Sequence, residues 1–316
     1  RVAICLERGL EMVVGLMAVM KAGGVYVALD PDYPRLRLKD ILADTGAGIL
    51  LLQRQTDYFE EYSGIRVYID SDRSKLDQLE TSNPDCRSTP TDLLNIVYTS
   101  STTGSPKGVL INMDAVLNRL FWMWENHPFE AGTVALLQKS YALVAATWEC
   151  YGALLQGYPT VILTRQEVLD PAVFWNALVG KKVTHLLASP AVLEGVLTEA
   201  DAHPGQWDSV RLATTSAEPV SPAMVQRWKK AFPETPLLNL YGSTECSSNA
   251  TCYDTRRLSD EDSRVPIGVP IANARVYILD KDRNLCPIGA VGEMCVSGAC
   301  LARGYLNNQE LTEQKF

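Results

Sequence analysis

The first half of the chain alternates short apolar runs with stretches of helical period, and this alternation restricts the fold more than any other property. VAICL (residues 2–6) is strand-like, and GLEMVVGLMAVMKAG (9–23) carries apolar residues at helical spacing and stops at Gly23 and Gly24. VYVALD (25–30) predicts a strand, PDYPRLRLKDILADTG (31–46) a proline-started helix, and AGILLLQ (47–53) a further strand. A β-α-β-α-β order of this kind predicts a parallel sheet covered by helices.

The polar stretch TSNPDCRSTPTD (81–92) predicts a loop, after which LLNIVYTSSTTGSPKGVLIN (93–112) places a strand, a polar loop and a second strand in succession. From residue 113 helix and strand alternate again, from MDAVLNRLFWMWEN through TWECYGALLQG (read as helical), DPAVFWNALVGKKV, THLLAS and SPAMVQRWKKAF to PLLNLYG. Residues 265–298 change style to strand–turn–strand with Gly and Pro punctuation and no helix. The division expected is therefore 1–115 (an α/β subdomain ending in the polar loop), 116–262 (a second α/β subdomain) and 263–316 (the start of a β-rich subdomain). The opening RVAICLERG and the closing LTEQKF read as interrupted elements, so a fragment of a longer chain is expected. No internal repeat or low-complexity tract is present.

Composition excludes several functions. The 316 residues carry a net charge of −8 without a Lys/Arg run, which argues against nucleic acid as partner. No signal peptide or membrane-length apolar run is present, so no membrane association is expected. The eight cysteines are scattered and several sit in apolar runs, as expected for reduced thiols of a cytoplasmic protein. With only three histidines, and no suitable company for Cys295 and Cys300, a zinc site is not expected. Of the histidines, His127 falls in the loop ENHPFE and His185 reads as packing or capping at a strand end.

The strongest chemical signal is YTSSTTGSPKGV (98–109). Five consecutive hydroxyl residues, Thr99, Ser100, Ser101, Thr102 and Thr103, precede Gly104 and Lys107. Small residues let backbone N–H groups crowd an anion, hydroxyls add donors, and the lysine adds charge. The spacing is not that of the GxxxxGK[ST] loop. On composition alone the stretch reads equally as a Ser/Thr-rich turn between two strands.

The same stretch resembles the nucleotide-phosphate loop of the adenylate-forming superfamily, which includes acyl-CoA synthetases, luciferases and the adenylation domains of nonribosomal peptide synthetases. The family pattern is YTSGSTGxPKGV, from which this chain departs at Ser101 (glycine in the pattern) and Thr102 (serine). Three further segments carry the likeness: residues 11–51, NLYGSTE (239–245, with Ser243 for proline) and GEMCVSGACLARGYLNNQELTEQKF (292–316). The first most resembles peptide-synthetase adenylation domains.

The resemblance implies an α/β fold with two flavodoxin-like subdomains, their parallel-type sheets packed in layers, plus a small β-rich distorted barrel: the N-terminal core of an adenylation domain. It also implies a mobile C-terminal domain with a catalytic lysine, and a ribose-binding aspartate in a YxTGD segment, both outside these residues. The implied reaction joins a carboxylate to the α-phosphate of Mg·ATP and then passes the acyl group to phosphopantetheine on a carrier (thiolation) domain. By family alignment Thr99 to Thr103, Gly104 and Lys107 grip the terminal phosphates, and Thr244 donates to the α-phosphate. Glu245 holds Mg²⁺. Tyr241 stacks on adenine, Asn239 reads its exocyclic amine, and Gly242, Ala217 and Glu218 lie alongside. Ala217 stands in TTSAEPVS where the family's GGExLS has glycine. The catalytic set is Thr244, Glu245 and Lys107.

Amino-acid-activating members place an aspartate four residues before the tryptophan of the xWE segment, where it pairs with the substrate's α-ammonium. Here Val144 occupies that place, and Leu143, Ala145 and Ala146 supply no carboxylate. The pocket is thus expected to accept an acid whose α-substituent is uncharged. Aryl-acid members carry asparagine there and keto-acid members an aliphatic residue, which ranks an α-keto acid first. Alignment gives the rest of the pocket as Ala145, Trp148, Leu187, Thr214, Ser216, Leu240, Ser248 and Asn249. This mix suits a branched chain such as 2-ketoisocaproate or 2-ketoisovalerate, and implies a ketoreductase in the same depsipeptide synthetase. The alternatives are a hydroxy, aryl or fatty acid, a stand-alone acyl-CoA ligase, and a non-catalytic docking module.

Overall fold

The computed structural model describes residues 1–85, 88–99 and 106–316. They form two compact units: Arg1–Asp114 with Lys139–Cys150 and Ala302–Phe316, and Ala115–Gln138 with Tyr151–Leu301.

The first unit is built on β1 (Val2–Cys5), α1 (Leu10–Lys21), β2 (Tyr26–Ala28), α2 (Arg35–Thr45), β3 (Ile49–Leu52), β4 (Ile65–Tyr68), the short α3 (Arg73–Leu76), β5 (Leu93–Thr99) and β6 (Lys107–Asn112). The sheet order is β4-β3-β1-β2-β5-β6. Neighbours are parallel except β6, which runs antiparallel to β5. Helices cover both faces, as a parallel sheet requires. Leu38 and Ile41 of α2 share a core with Leu50, Leu52 and Ile96. On the other face Gly15 of α1 comes so close to Leu51 that a Cβ would lie 2.9 Å from its methyl carbon. Gly46, at φ +57°, ends α2 in the left-handed turn that glycine tolerates.

Two distant stretches complete this unit. Residues 139–150 enter at the carboxyl ends of β1 and β2, where the buried Tyr141 hydroxyl accepts from Leu6 N (3.1 Å) and donates to Leu29 O (2.8 Å). Residues 302–306 run along the outer edge of β6, with Arg303 N bonded to Leu110 O (2.9 Å), Leu110 N to Gly304 O (2.9 Å) and Leu306 N to Gly108 O (2.7 Å). A final helix, α9 (Gln309–Lys315), follows, capped where Asn308 accepts from Leu311 N.

The second unit begins in α4 (Met113–Asn126) and has β7 (Ala135–Leu137) parallel to β8 (Thr160–Ile162). Its main sheet joins β9 (His185–Ala188), β10 (Leu212–Thr215) and β11 (Leu237–Tyr241), all parallel, to the antiparallel β12 (Thr251–Asp254) and β13 (Val269–Pro270). Helices α5 (Arg165–Leu169), α6 (Pro171–Gly180), α7 (Pro190–Ala202) and α8 (Pro222–Ala231) intervene. Their starts follow the local chemistry. Proline opens α6, α7 and α8, and Asp170 and Ser221 accept from first-turn N–H groups. Trp175, Trp207 and Trp228 pack with Leu186, Ala213 and Leu237 in one core. Residues 274–298 form an antiparallel ribbon of β14 (Ala274–Leu279) and β15 (Glu293–Gly298), the strand–turn–strand that Gly and Pro punctuation predicts.

TWECYGALLQG departs from its expected helix. It forms one wide π-helical turn (Trp148–Gly152) and a 3₁₀ turn (Leu154–Gln156) that ends at Gly157, φ +77°. Residues 146–153 are buried without interruption, so the segment lacks the polar face that a regular surface helix keeps. Seven cysteines among the described residues are free thiols. No helix among them is long and apolar enough to cross a membrane.

Because the Tyr141 hydroxyl is buried and bonded to strand-end backbone, Tyr141→Phe strands those groups. Denaturant unfolding should show a loss of about 1–3 kcal/mol with an unchanged m-value.

Candidate functional site

In the first unit, β5 and β6 bring Thr99 opposite Lys107 at the ends of two antiparallel strands. Ser100, Ser101, Thr102, Thr103 and Gly104 lie outside the described residues. Tyr98 faces Gly108 across the ladder, and a Cβ on that glycine would sit 2.9 Å from the tyrosine ring, so the close crossing needs a residue without a side chain. A cavity of about 480 Å³ opens here, with Asp40, Asp44, Tyr98, Lys107 and Asn307 in its wall.

The same unit positions Val144. Tyr141 pins the segment, and three residues on Val144 is buried, its carbonyl accepting from Thr147 Oγ1 at 2.7 Å. Ala145 is half-buried and Trp148 buried. Two buried carboxylates belong to these surroundings, and both are engaged by the protein. Glu149 Oε2 accepts from Lys139 N at 2.8 Å. Asp30 accepts from the Ser140 hydroxyl and, at 3.0 Å, from Asp32 N.

In the second unit the candidates gather at the carboxyl ends of β9, β10 and β11, the end of a parallel sheet where ligands bind. Leu187, Thr214 and Leu238 are neighbours in register, so Leu187, Thr214 and Leu240 share one face by strand alternation. All three are buried, and Ser216, just past β10, is half-buried. Asn239 pairs in register with Thr215 and belongs to the opposite face. Its Nδ2 donates to Pro266 O at 2.9 Å, which orients Oδ1 as an acceptor.

After β11 the chain makes a tight turn. Gly242 passes so close to Ser248 that a Cβ would lie 2.3 Å from its carbonyl oxygen. Ser243 O accepts from Cys246 N (3.1 Å) and Ser248 N (3.0 Å), closing a 3₁₀ turn over Thr244–Cys246. Thr244 and Glu245 are half-buried, and Tyr241 is 41% exposed, leaving its ring open to stacking. Ser247 and Ser248 hold positive φ of 49° and 94°, and Ser248 Oγ bonds the Asn249 side chain at 3.3 Å. Ala217 and Glu218 are exposed, Ala217 at φ +82°. No group of three His, Cys, Asp or Glu side chains suited to a metal occurs among the described residues. A Mg²⁺ ion held by Glu245 would therefore take its other oxygens from phosphate and water, as that ion commonly does.

The histidines lie elsewhere. His185 starts β9, at the opposite end of the sheet, with its ring 4.9 Å from Phe129 and Nδ1 bonded to Thr184 Oγ1. Burial pushes its pKa down to about 4, with Arg211 and His127 adding to the effect.

A family model described as AMP-binding enzyme matches residues 1–306. The chain belongs to the AMP-binding enzyme family. This family member is 34% identical over 320 residues to tyrocidine synthase 3 of Brevibacillus parabrevis, covering 100% of the chain and 5% of that protein. It is 34% identical over 324 residues to zwittermicin A synthase ZmaJ of Bacillus cereus, covering 100% of the chain and 61% of that protein. It thus spans less than two thirds of either relative. A crystal structure of the nonribosomal peptide synthetase FmoA3, also solved with AMPPNP bound, superposes with a TM-score of 0.92 at 26% identity, covering 100% of the chain and 34% of FmoA3. The fold of this AMP-binding family member is that of the N-terminal core of a peptide-synthetase adenylation domain.

Sequence reasoning overlooked the residues that hold the candidates: Tyr141, the Asp30–Ser140 pair, and Pro266. An acid directly after a strand, as in VALDPD, is a usable signal for Asp30. Nothing local marks Pro266 as the partner of Asn239, 27 residues away.

Alanine at φ +82° carries left-handed strain that glycine lacks. Ala217→Gly should raise unfolding stability by about 1 kcal/mol, and Ala217→Val should lower it, both read from denaturation midpoints.

Proposed function

We propose that this chain is the core of an adenylation enzyme that activates a branched α-keto acid, such as 2-ketoisocaproate or 2-ketoisovalerate, as its acyl-adenylate. The acyl group then passes to phosphopantetheine on a carrier domain of a depsipeptide-type synthetase that includes a ketoreductase. The observation that carries the reading is Val144. It is buried in a segment whose neighbouring carboxylates, Asp30 and Glu149, already accept hydrogen bonds from the protein itself.

The chemistry sets the demands on the side chains. A carboxylate oxygen forms a bond to the α-phosphorus while the bond to pyrophosphate breaks, so one anion attacks another. Lys107 offsets the charge of the terminal phosphates, Thr99 and the hydroxyls at 100–103 donate hydrogen bonds to them, and Thr244 donates to the α-phosphate as charge builds there. Glu245 is the carboxylate for Mg²⁺, which when bound offsets phosphate charge. The acceptor Oδ1 of Asn239 suits an exocyclic amine, the open ring of Tyr241 suits adenine, and the bare Cα of Gly242 lets the chain turn tightly against Ser248 just before Thr244. By family alignment the residues that meet the acid's side chain are Trp148 and Ala145 of the first unit and Leu187, Thr214, Ser216, Leu240, Ser248 and Asn249 of the second.

A protonated amine beside the reacting carboxylate would meet no carboxylate at Val144, and an uncompensated buried charge costs about 3–5 kcal/mol. Pyrophosphate exchange should therefore favour 2-ketoisocaproate over leucine by about 100-fold or more. 2-Hydroxyisocaproate and salicylate complete the panel, and strong exchange with leucine alone ends the keto-acid reading. Val144→Asp should move preference towards leucine. If that variant retains full keto-acid selectivity, another residue reads the α-substituent.

A further inference from the structure

Resting on the reading of residues 98–109 as a phosphate-holding segment, we infer that Asp44 and Asn307 are positioning residues that set Thr99 and Lys107 for the terminal phosphates of ATP, acting through the Tyr98 hydroxyl. Both stand far from that segment in sequence, and neither is among the candidate site residues.

The geometry is continuous. Thr99 and Lys107 end the β5–β6 ladder, and Tyr98 and Gly108 are the next pair inward. The Tyr98 ring lies over Gly108 and its hydroxyl donates to Asp44 Oδ2 at 2.6 Å, in the last turn of α2. Asn307 Nδ2 donates to Asp44 O at 2.9 Å and Asp44 Oδ1 at 3.1 Å. Asn307 reaches this place from a left-handed turn, φ +53°, directly after Leu306 N bonds to Gly108 O. The two strands are thus held at their loop end from both sides. Tyr98 ties β5 to α2, and the backbone strap at 303–306 ties β6 to Asn307 and back to the same aspartate. Burial, followed by the Asp44 carboxylate, raises the Tyr98 phenol well above its ordinary range, so the hydroxyl stays a donor through neutral pH.

Such a clamp costs no contact with adenine, ribose or the α-phosphate when it is released. Its loss should therefore fall on nucleotides with terminal phosphates and spare AMP. A merely structural role lowers melting temperature and leaves nucleotide preference alone.

Calorimetric titration of the protein with Mg·ATP and with AMP, together with thermal melting, separates these cases. Tyr98→Phe keeps the ring and removes one hydrogen bond. It should weaken Mg·ATP about fivefold while AMP affinity holds, whatever ligand-free Tm is lost with the buried hydrogen bond. Asp44→Ala and Asn307→Gly should do the same, and Asp44→Asn, which keeps an acceptor oxygen, should recover most of the loss. Because both partners act through one contact, Tyr98→Phe combined with Asp44→Ala should weaken Mg·ATP no more than either alone. Equal losses for AMP and Mg·ATP, or no loss for either, overturn the inference. Wild-type protein that binds neither nucleotide removes the nucleotide site itself and this clamp with it.

Discussion

The Tyr141 hydroxyl is a buried group on residues 139–150 that reaches into the ends of β1 and β2, bonding Leu6 N and Leu29 O. Strand ends in a parallel sheet leave backbone groups that need partners, and here a side chain more than a hundred residues away supplies them. Removing it leaves polar backbone orphaned in the interior, which few structures tolerate. The position of Val144, three residues on, is set by this anchor, and the proposed choice of acid rests on that position. The Ser140–Asp30 contact and the Lys139–Glu149 contact reinforce the same segment.

The second unit meets a comparable demand by different means. At the ends of β9, β10 and β11 the backbone itself does most of the shaping. Gly242 passes against Ser248, the 3₁₀ turn closes on Ser243 O, and Ser247 and Ser248 hold left-handed conformations that side chains rarely adopt. Strain gathered at one turn is a property of sites where backbone must approach a ligand. Ala217 carries similar strain without glycine's freedom, a cost that the fold of the unit, cored on three tryptophans, absorbs.

Much of this was legible in residue order. The β-α-β-α-β pattern of the first hundred residues, the two strands that end at Thr99 and start at Lys107, and the ribbon at 274–298 all follow from apolar spacing and from Gly and Pro placement. The family resemblance rested on four ordered segments, and the match over residues 1–306 agrees with it. The failure at TWECYGALLQG is physical as well. Apolar periodicity reports a helix with one wet face, and residues 146–153, buried without interruption, have none. The clamp at Asp44 and Asn307 was invisible because a hydrogen bond spanning 263 residues leaves no trace in local pattern.

Sequence alone determined which groups are present: hydroxyls and a lysine between two strands, a tight YGSTE turn, and an aliphatic side chain in place of an aspartate. These are matters of composition and spacing, and the chain carries them unfolded. Tertiary structure alone decided which way Asn239 presents its oxygen, which donors occupy Asp30 and Glu149, and what braces Tyr98. Hydrogen bonds are directional and short, so their partners are chosen by how distant strands and turns come together.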